Sequence, residues 1–157
     1  MSAQPQAGSK APEFSAQAIG GEYTSPATVK LADLRGGAVV LYFYPKDDTP
    51  GCTRQACALR DAWSEISSKA KVFGVSVDSI KSHARFIKKH DLPFPILSDE
   101  DHKIVEAYGV WVEKSLYGKT YMGTERTTFI IGPDGRIKAV LPKVKPDEHL
   151  KQVLELL

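Results

Sequence analysis

The sequence predicts an α/β fold, a central mixed sheet flanked by helices with an N-terminal hairpin extension. Three observations carry this. Ala38 to Tyr44 and Val72 to Val77 are apolar, β-branched and aromatic runs without polar alternation, the pattern of strands buried on both faces. Helical patterns, with apolar residues three and four apart, lie between and after these runs. Near the C-terminus Pro133-Asp-Gly135 separates two further strand-like runs, and an amphipathic stretch closes the chain. Strands alternating with helices, followed by a hairpin and a helix, call for a sheet covered on both faces.

Each element has its own local reason. Residues 1–10 are small and polar and read as a flexible N-terminal tail, with 11–157 as a single domain. Phe14, Ala16 and Ala18 alternate weakly up to Gly20-Gly21, a tight hairpin turn. Leu31 to Leu34 resembles one helical turn ended by Gly36-Gly37. After the strand Ala38–Tyr44, Pro45 stops the run. A helix then reads from Cys52 to about Lys69, with Ala56, Leu59, Trp63 and Ile66 on one side. Beyond the second buried strand, Asp78-Ser79 caps a helix to about His90, with Ala84, Ile87 and Leu92 as its apolar side. Pro93 to Leu97 is short and extended, and Asp99 to Tyr108 reads as a helix ended by Gly109. Residues 109–123 read as a long aromatic connection of weak periodicity. Thr127 to Ile131 and Arg136 to Val140 form the hairpin arms, and Leu150, Val153, Leu154 and Leu157 mark the last helix.

Composition narrows the function. The chain has 157 residues, 42% of them hydrophobic and 25% charged. A domain of this size buries roughly 70% of the surface its unfolded chain exposes, so it needs no disulfide staple. Lys plus Arg is 21 and Asp plus Glu 19, a net charge of +2. That lacks the basic excess of phosphate neutralisation, so no nucleic-acid partner is expected. Lys88-Lys89-His90 reads as a solvated helix face. No run reaches the ~18 apolar residues of a membrane span. The N-terminus shows no secretory signal, so the expected setting is the cytoplasm, away from any membrane.

The two cysteines, Cys52 and Cys57, are the feature to explain. In a reducing compartment such a pair is more often catalytic or metal-binding than structural. Cys52 falls in the first turn of a helix after the loop Pro45-Lys-Asp-Asp-Thr49-Pro-Gly51, where free N–H groups and the positive helix end favour a thiolate. Cys57 gains less. On an intact helix residues five apart have Cα atoms about 8–9 Å apart, whereas a disulfide wants them within about 7 Å. A bond between them would therefore unwind the helix start. His83, His90, His102 and His149 show no tight pairing with the cysteines, so no metal is expected. None of these histidines is assigned a catalytic role, and Cys-x-x-Cys is absent.

The stretch Phe43-Tyr-Pro45-Lys-Asp-Asp-Thr49-Pro-Gly-Cys52-Thr-Arg-Gln-Ala-Cys57 resembles the active-site segment of the peroxiredoxins, specifically the bacterioferritin comigratory protein or PrxQ group. Gly109-Val-Trp111-Val-Glu-Lys114, Tyr117-Gly118 and Met122-Gly-Thr-Glu-Arg126-Thr-Thr-Phe129 are similar to the group's later motifs. The resemblance covers about residues 8 to 157. It implies a thioredoxin-like fold and an atypical 2-Cys thiol peroxidase without cofactor, reducing hydrogen peroxide and organic hydroperoxides.

By that resemblance Cys52 is the peroxidatic and Cys57 the resolving cysteine, with recycling by thioredoxin or a similar dithiol. Arg126 would hold the thiolate and polarise the peroxide, Thr49 would bond the peroxide, and Pro45 would shape and shield the pocket. Glu125 is either a partner orienting Arg126 or a solvated charge. Trp63, Trp111 and Phe129 read as core or pocket-wall aromatics. A monomer is expected. The competing readings are a general thiol–disulfide oxidoreductase, which the missing Cys-x-x-Cys opposes, and a non-enzymatic thioredoxin-like binding module, which leaves the two cysteines unexplained.

Overall fold

A computed structural model describes residues 3–157. In chain order it contains β1 (Ser15–Gly20), β2 (Tyr23–Lys30), a 3-10 turn (Leu31–Leu34), β3 (Ala38–Phe43), α1 (Pro50–Asp61), α2 (Trp63–Ser67) and β4 (Ala70–Ser76). These are followed by α3 (Ile80–His90), β5 (Ile96–Ser98), α4 (Lys103–Ala107), β6 (Trp111–Leu116), β7 (Lys119–Thr124), β8 (Thr128–Ile131), β9 (Ile137–Leu141) and α5 (His149–Leu156). Seven strands form one mixed sheet in the order β2-β1-β5-β4-β3-β8-β9. The central β3, β4 and β5 are parallel, while β8, β9, β1 and β2 add antiparallel flanks.

The period-two geometry of β3 divides the core. Val39, Leu41 and Phe43 pack with Phe73, Val75, Tyr108 and Phe129 on the α4 side. Val40 and Tyr42 point to the other face, packing with Cys52, Ala56 and Leu59 of α1, Phe86 of α3 and Val153 of α5. Both faces are covered, which is why the strand reads as continuously apolar.

The helices depart from expectation in instructive ways. The single helix from Cys52 to Lys69 is two, broken at Ala62 (φ −109°, ψ 19°). The break re-aims Trp63 onto Phe94, with ring centroids 5.8 Å apart. On α3 the buried side is His83 and Phe86, with Ala84 and Ile87 only half-buried. The helix expected from Asp99 begins only at Lys103, because the Asp99 carboxylate accepts the N–H groups of Ile104 (3.0 Å) and Val105 (2.8 Å) and so caps it from outside.

Residues 109–123, read as an irregular connection, are mostly a two-stranded antiparallel hairpin pairing Trp111 with Thr124 and Leu116 with Lys119. Its turn places Tyr117 (φ 52°) and Gly118 (φ 76°) in the left-handed region. Of the stretch expected to be a loose tail, residues 1 and 2 lie outside the described residues. The Gly8 N–H donates to the Ile137 carbonyl, Ile137 N–H donates to Ser9, and Lys10 bridges Arg136, so that end is tied to β9. No helix among the described residues is long and apolar enough to cross a membrane.

Candidate active site

The site begins where β3 ends. Tyr44 and then the half-buried Pro45 follow that strand, and the loop through Thr49 turns the chain into α1. Asp48 takes the left-handed turn at φ 57°. Thr49 is the extended N-cap of α1, and its carbonyl accepts the Thr53 N–H at 2.8 Å. Its hydroxyl does not cap the helix but donates to the Lys46 carbonyl at 2.9 Å, so the oxygen's lone pairs are left to accept. Pro50 occupies the first helical position and has no N–H to offer. The unsatisfied donors of this helix start are therefore those of Gly51 and Cys52.

Cys52 is buried, 2% exposed, with its side chain on the inner face of α1. Cys57 is half-buried on the same unbroken helix, and both thiols are free. Arg126 enters from the link between β7 and β8. Its Nη1 donates to Gln55 Oε1 at 2.7 Å, and Gln55 lies one turn after Cys52 on the same face. The guanidinium also lies against Gly51, where a Cβ would sit 3.3 Å from Nη2. A side chain at position 51 would crowd both the guanidinium and Pro146 Cγ, each 3.3 Å from that Cβ. Glu125, weighed as a partner of Arg126, instead accepts from the Thr127 hydroxyl (2.7 Å) and from Gln4.

The loop is anchored from α3. The buried Asp47 carboxylate accepts the Tyr44 and Ser82 hydroxyls and faces His83 Nδ1 at 2.7 Å. His83 Nε2 lies 3.1 Å from the Leu97 carbonyl, which can only accept, so Nε2 carries hydrogen and one proton is shared between Nδ1 and Asp47. Asp78 accepts from the Asp47 N–H and the Ser76 hydroxyl. Ligand atoms of Asp47, Asp78 and His83 come within 4.8 Å of one another, yet each is engaged in these bonds, and the cluster reads as a hydrogen-bond network. On the surface Asp48 pairs with His90 (3.0 Å) and accepts from Lys89 (2.7 Å), and these bonds, His90's first, hold its carboxyl below the usual range.

Tyr42 lies beneath α1, and burial, then the Cys52 charge, holds its phenol well above the ordinary range. It therefore stays a neutral floor to the site. Trp63 and Phe129 are packing aromatics, and Trp111 lies against His102 at 4.3 Å.

The structure thus gathers Arg126, Gly51 and Gln55 at the helix start that holds Thr49 and Cys52. Gln55 escaped the sequence reading, although its spacing of three from Cys52 was a usable signal. Asp47 and His83, 36 residues apart, left none.

A helix-start thiol with an arginine brought to it across a thioredoxin-like sheet defines a thiol-chemistry enzyme. The AhpC/TSA family profile matches residues 7–140. The peroxiredoxin Bcp of Bacillus subtilis is 46% identical over 96% of this chain and 93% of its own, and that of Escherichia coli is 45% identical over 97% and 95%. A cysteine-to-serine variant of PrxQ from Xylella fastidiosa superposes with a TM-score of 0.87 at 32% identity, covering 98% of this chain and 96% of its own. The bacterioferritin comigratory protein of Xanthomonas campestris gives 0.82 at 36% identity, covering 90% and 88%. The chain belongs to the AhpC/TSA family, within its Bcp/PrxQ peroxiredoxins, and is a peroxidase of the oxidoreductase class.

Proposed function

We propose that the chain is an atypical 2-Cys peroxiredoxin in which Cys52 is the peroxidatic and Cys57 the resolving residue. The observation that carries this reading is the Arg126 guanidinium, held by Gln55 and laid against Gly51 in the turn that presents Cys52. The Cys52 thiolate attacks the terminal peroxide oxygen. An S–O bond forms, the O–O bond breaks, and the hydroxyl stays on sulfur as a sulfenic acid. The other oxygen leaves as hydroxide or alkoxide and takes a proton from water.

Arg126 and the N–H groups of Gly51 and Cys52 supply donors for charge that moves from sulfur to oxygen. The Thr49 hydroxyl, its proton spent on Lys46, accepts the peroxide O–H and fixes the peroxide's direction. Pro45 walls the pocket. Every step uses side chains and backbone, with no cofactor or metal.

Cys57 thiol then condenses with the sulfenic acid, releasing water and forming the Cys52–Cys57 disulfide. Both residues lie on continuous helix in α1, with Cα atoms about 8–9 Å apart by helix geometry, so α1 must open first. Thioredoxin, or another dithiol, reduces the disulfide and becomes one itself. Hydrogen peroxide and organic hydroperoxides are the substrates, in keeping with the alkyl peroxide reduction described for the Xanthomonas relative. The reading takes the enzyme as a cytoplasmic monomer.

The test is steady-state peroxide consumption with a thioredoxin system. Cys52→Ser should abolish it, whereas Cys57→Ser should react once and stop. Mass spectrometry after one equivalent of peroxide should find an intrachain disulfide in the unaltered protein. Peroxide turnover by Cys52→Ser equal to that of the parent overturns the reading.

A further inference from the structure

The β6–β7 hairpin stands outside the main sheet and shows solvent Leu116, Tyr117, Tyr121 and Met122. Against that exposed surface one charged residue is turned inward. Lys114 is half-buried, while its neighbours Glu113 and Ser115 are exposed. A lysine normally snorkels, keeping its ammonium in water. Here the stem crosses the bare face of Gly123, where a Cβ would lie 3.1 Å from Cδ and 3.4 Å from Cε. Its Nζ donates to the Thr124 carbonyl at 2.6 Å, two residues before Arg126.

The charges acting on Lys114 are the Arg126 guanidinium, the Cys52 thiolate and the Glu125 carboxylate. Burial, then the guanidinium, holds its ammonium below the ordinary lysine range, and the thiolate and carboxylate act against that. Lys114, bonded at Thr124, and Arg126, laid against Gly51 next to Cys52, therefore bring two cations to the chain segment that enters β8. Positive charge placed beside an atom that gains negative charge as a bond breaks stabilises that charge.

We propose that Lys114 is a positioning residue of the peroxide site. Its bond to the Thr124 carbonyl steadies the strand that delivers Arg126, and its charge adds to that of Arg126 on the Cys52 thiolate and on the oxygen leaving as the O–O bond breaks. The bare position 123 is part of the same device, since a side chain there would lift the lysine from its track. The inference rests on Cys52 being the attacking thiol.

The experiment is stopped-flow oxidation of the reduced full-length protein by hydrogen peroxide from pH 5 to 9, with thiolate absorbance at 240 nm followed in parallel. Lys114→Met keeps the apolar stem and removes the charge. It should lower the second-order rate constant at pH 7 about five- to tenfold, the size of one partly screened unit charge, and move the midpoint of thiolate formation to higher pH. Lys114→Gln, which keeps a donor for Thr124, should show the same displaced midpoint, and Lys114→Arg should restore rate and midpoint.

Parental rate and midpoint in both uncharged variants overturn the inference. So does a slowed rate with an unmoved midpoint that arginine fails to rescue, which would mark a structural role alone. Full peroxide reactivity in Cys52→Ser instead overturns the reading on which the inference rests.

Discussion

His83→Leu is the sharpest test of how the loop leading into α1 is held. In the parent, His83 is fully buried and joins Asp47 at 2.7 Å to the Leu97 carbonyl at 3.1 Å. Leucine removes both bonds, leaves the Leu97 carbonyl unpaired, and strands a buried carboxylate with only the Tyr44 and Ser82 hydroxyls. Removing one partner of a buried pair costs about 3–5 kcal/mol. At about 2–4 °C per kcal/mol for a chain of this size, Tm should fall roughly 6–20 °C.

Asp47→Asn is the contrast. Its amide can donate to Nδ1 while Nε2 keeps its hydrogen, so the main loss is an acceptor for Ser82 and the charge assistance, about 1–2 kcal/mol. Urea unfolding of the reduced protein at pH 7, followed by circular dichroism, measures both. Equal losses in the two variants, or a loss below about 1 kcal/mol in His83→Leu, would refute the shared-proton account.

Three further outcomes follow from particular contacts. Gly51→Ala puts a Cβ 3.3 Å from both Arg126 Nη2 and Pro146 Cγ, so peroxide reactivity in stopped flow should drop at least several-fold with little change in Tm. A parental rate would mean that the guanidinium has no required seat there. His149 is buried, its Nε2 paired with the Thr128 hydroxyl at 2.8 Å, and burial, then Arg126, lowers it to about 3. Its depressed value means that its contribution is whole above about pH 6.5, the unfolded value, and lost as pH falls toward about 3. His149→Phe should flatten the acid slope of stability across that window in urea titrations at stepped pH, and an unchanged slope counts against it. Hydrogen exchange over residues 50–60 should rise on oxidation, because a Cys52–Cys57 bond cannot form across an intact α1. Equal protection in both redox forms would show that the helix does not open.

How much of this was legible depended on whether the determining contact was local. The run Ala38 to Tyr44 read as a buried strand because it holds no polar alternation, and Pro45 to Cys52 announced a helix-start thiol because proline, glycine and threonine act on their own backbone. The hairpin from Trp111 to Thr124 was missed because, facing solvent on much of its surface, it lacks the apolar alternation that burial imposes on a strand. The late start of α4 was hidden because its cap, Asp99, works from four positions before Lys103. The break at Ala62 has neither Gly nor Pro to signal it, since it answers to Phe94 across the fold. Asp47 and His83 each look ordinary in sequence, and their meaning exists only once α3 packs under the loop.

The meeting of Cys52 with Arg126 follows from strand direction rather than from chance packing. β3 runs toward the loop and α1, so its carboxyl end delivers Cys52. β8 runs antiparallel to it, with Tyr42 opposite Thr128 and the Phe43 N–H bonded to the Thr127 carbonyl at 2.8 Å. The residue entering β8 must therefore arrive where β3 ends, and that residue is Arg126. Were β8 parallel to β3, its entry would lie at the far end of the sheet, several strand residues away at about 3.3 Å each. The same direction explains the hairpin's position. β7 feeds Arg126 through Glu125, and the residue of β6 that reaches along β7 to its last carbonyl, at Thr124, is Lys114. The antiparallel strand supplies the arginine, and the hairpin ahead of it adds the second cation, without requiring a residue of either to be near Cys52 in sequence.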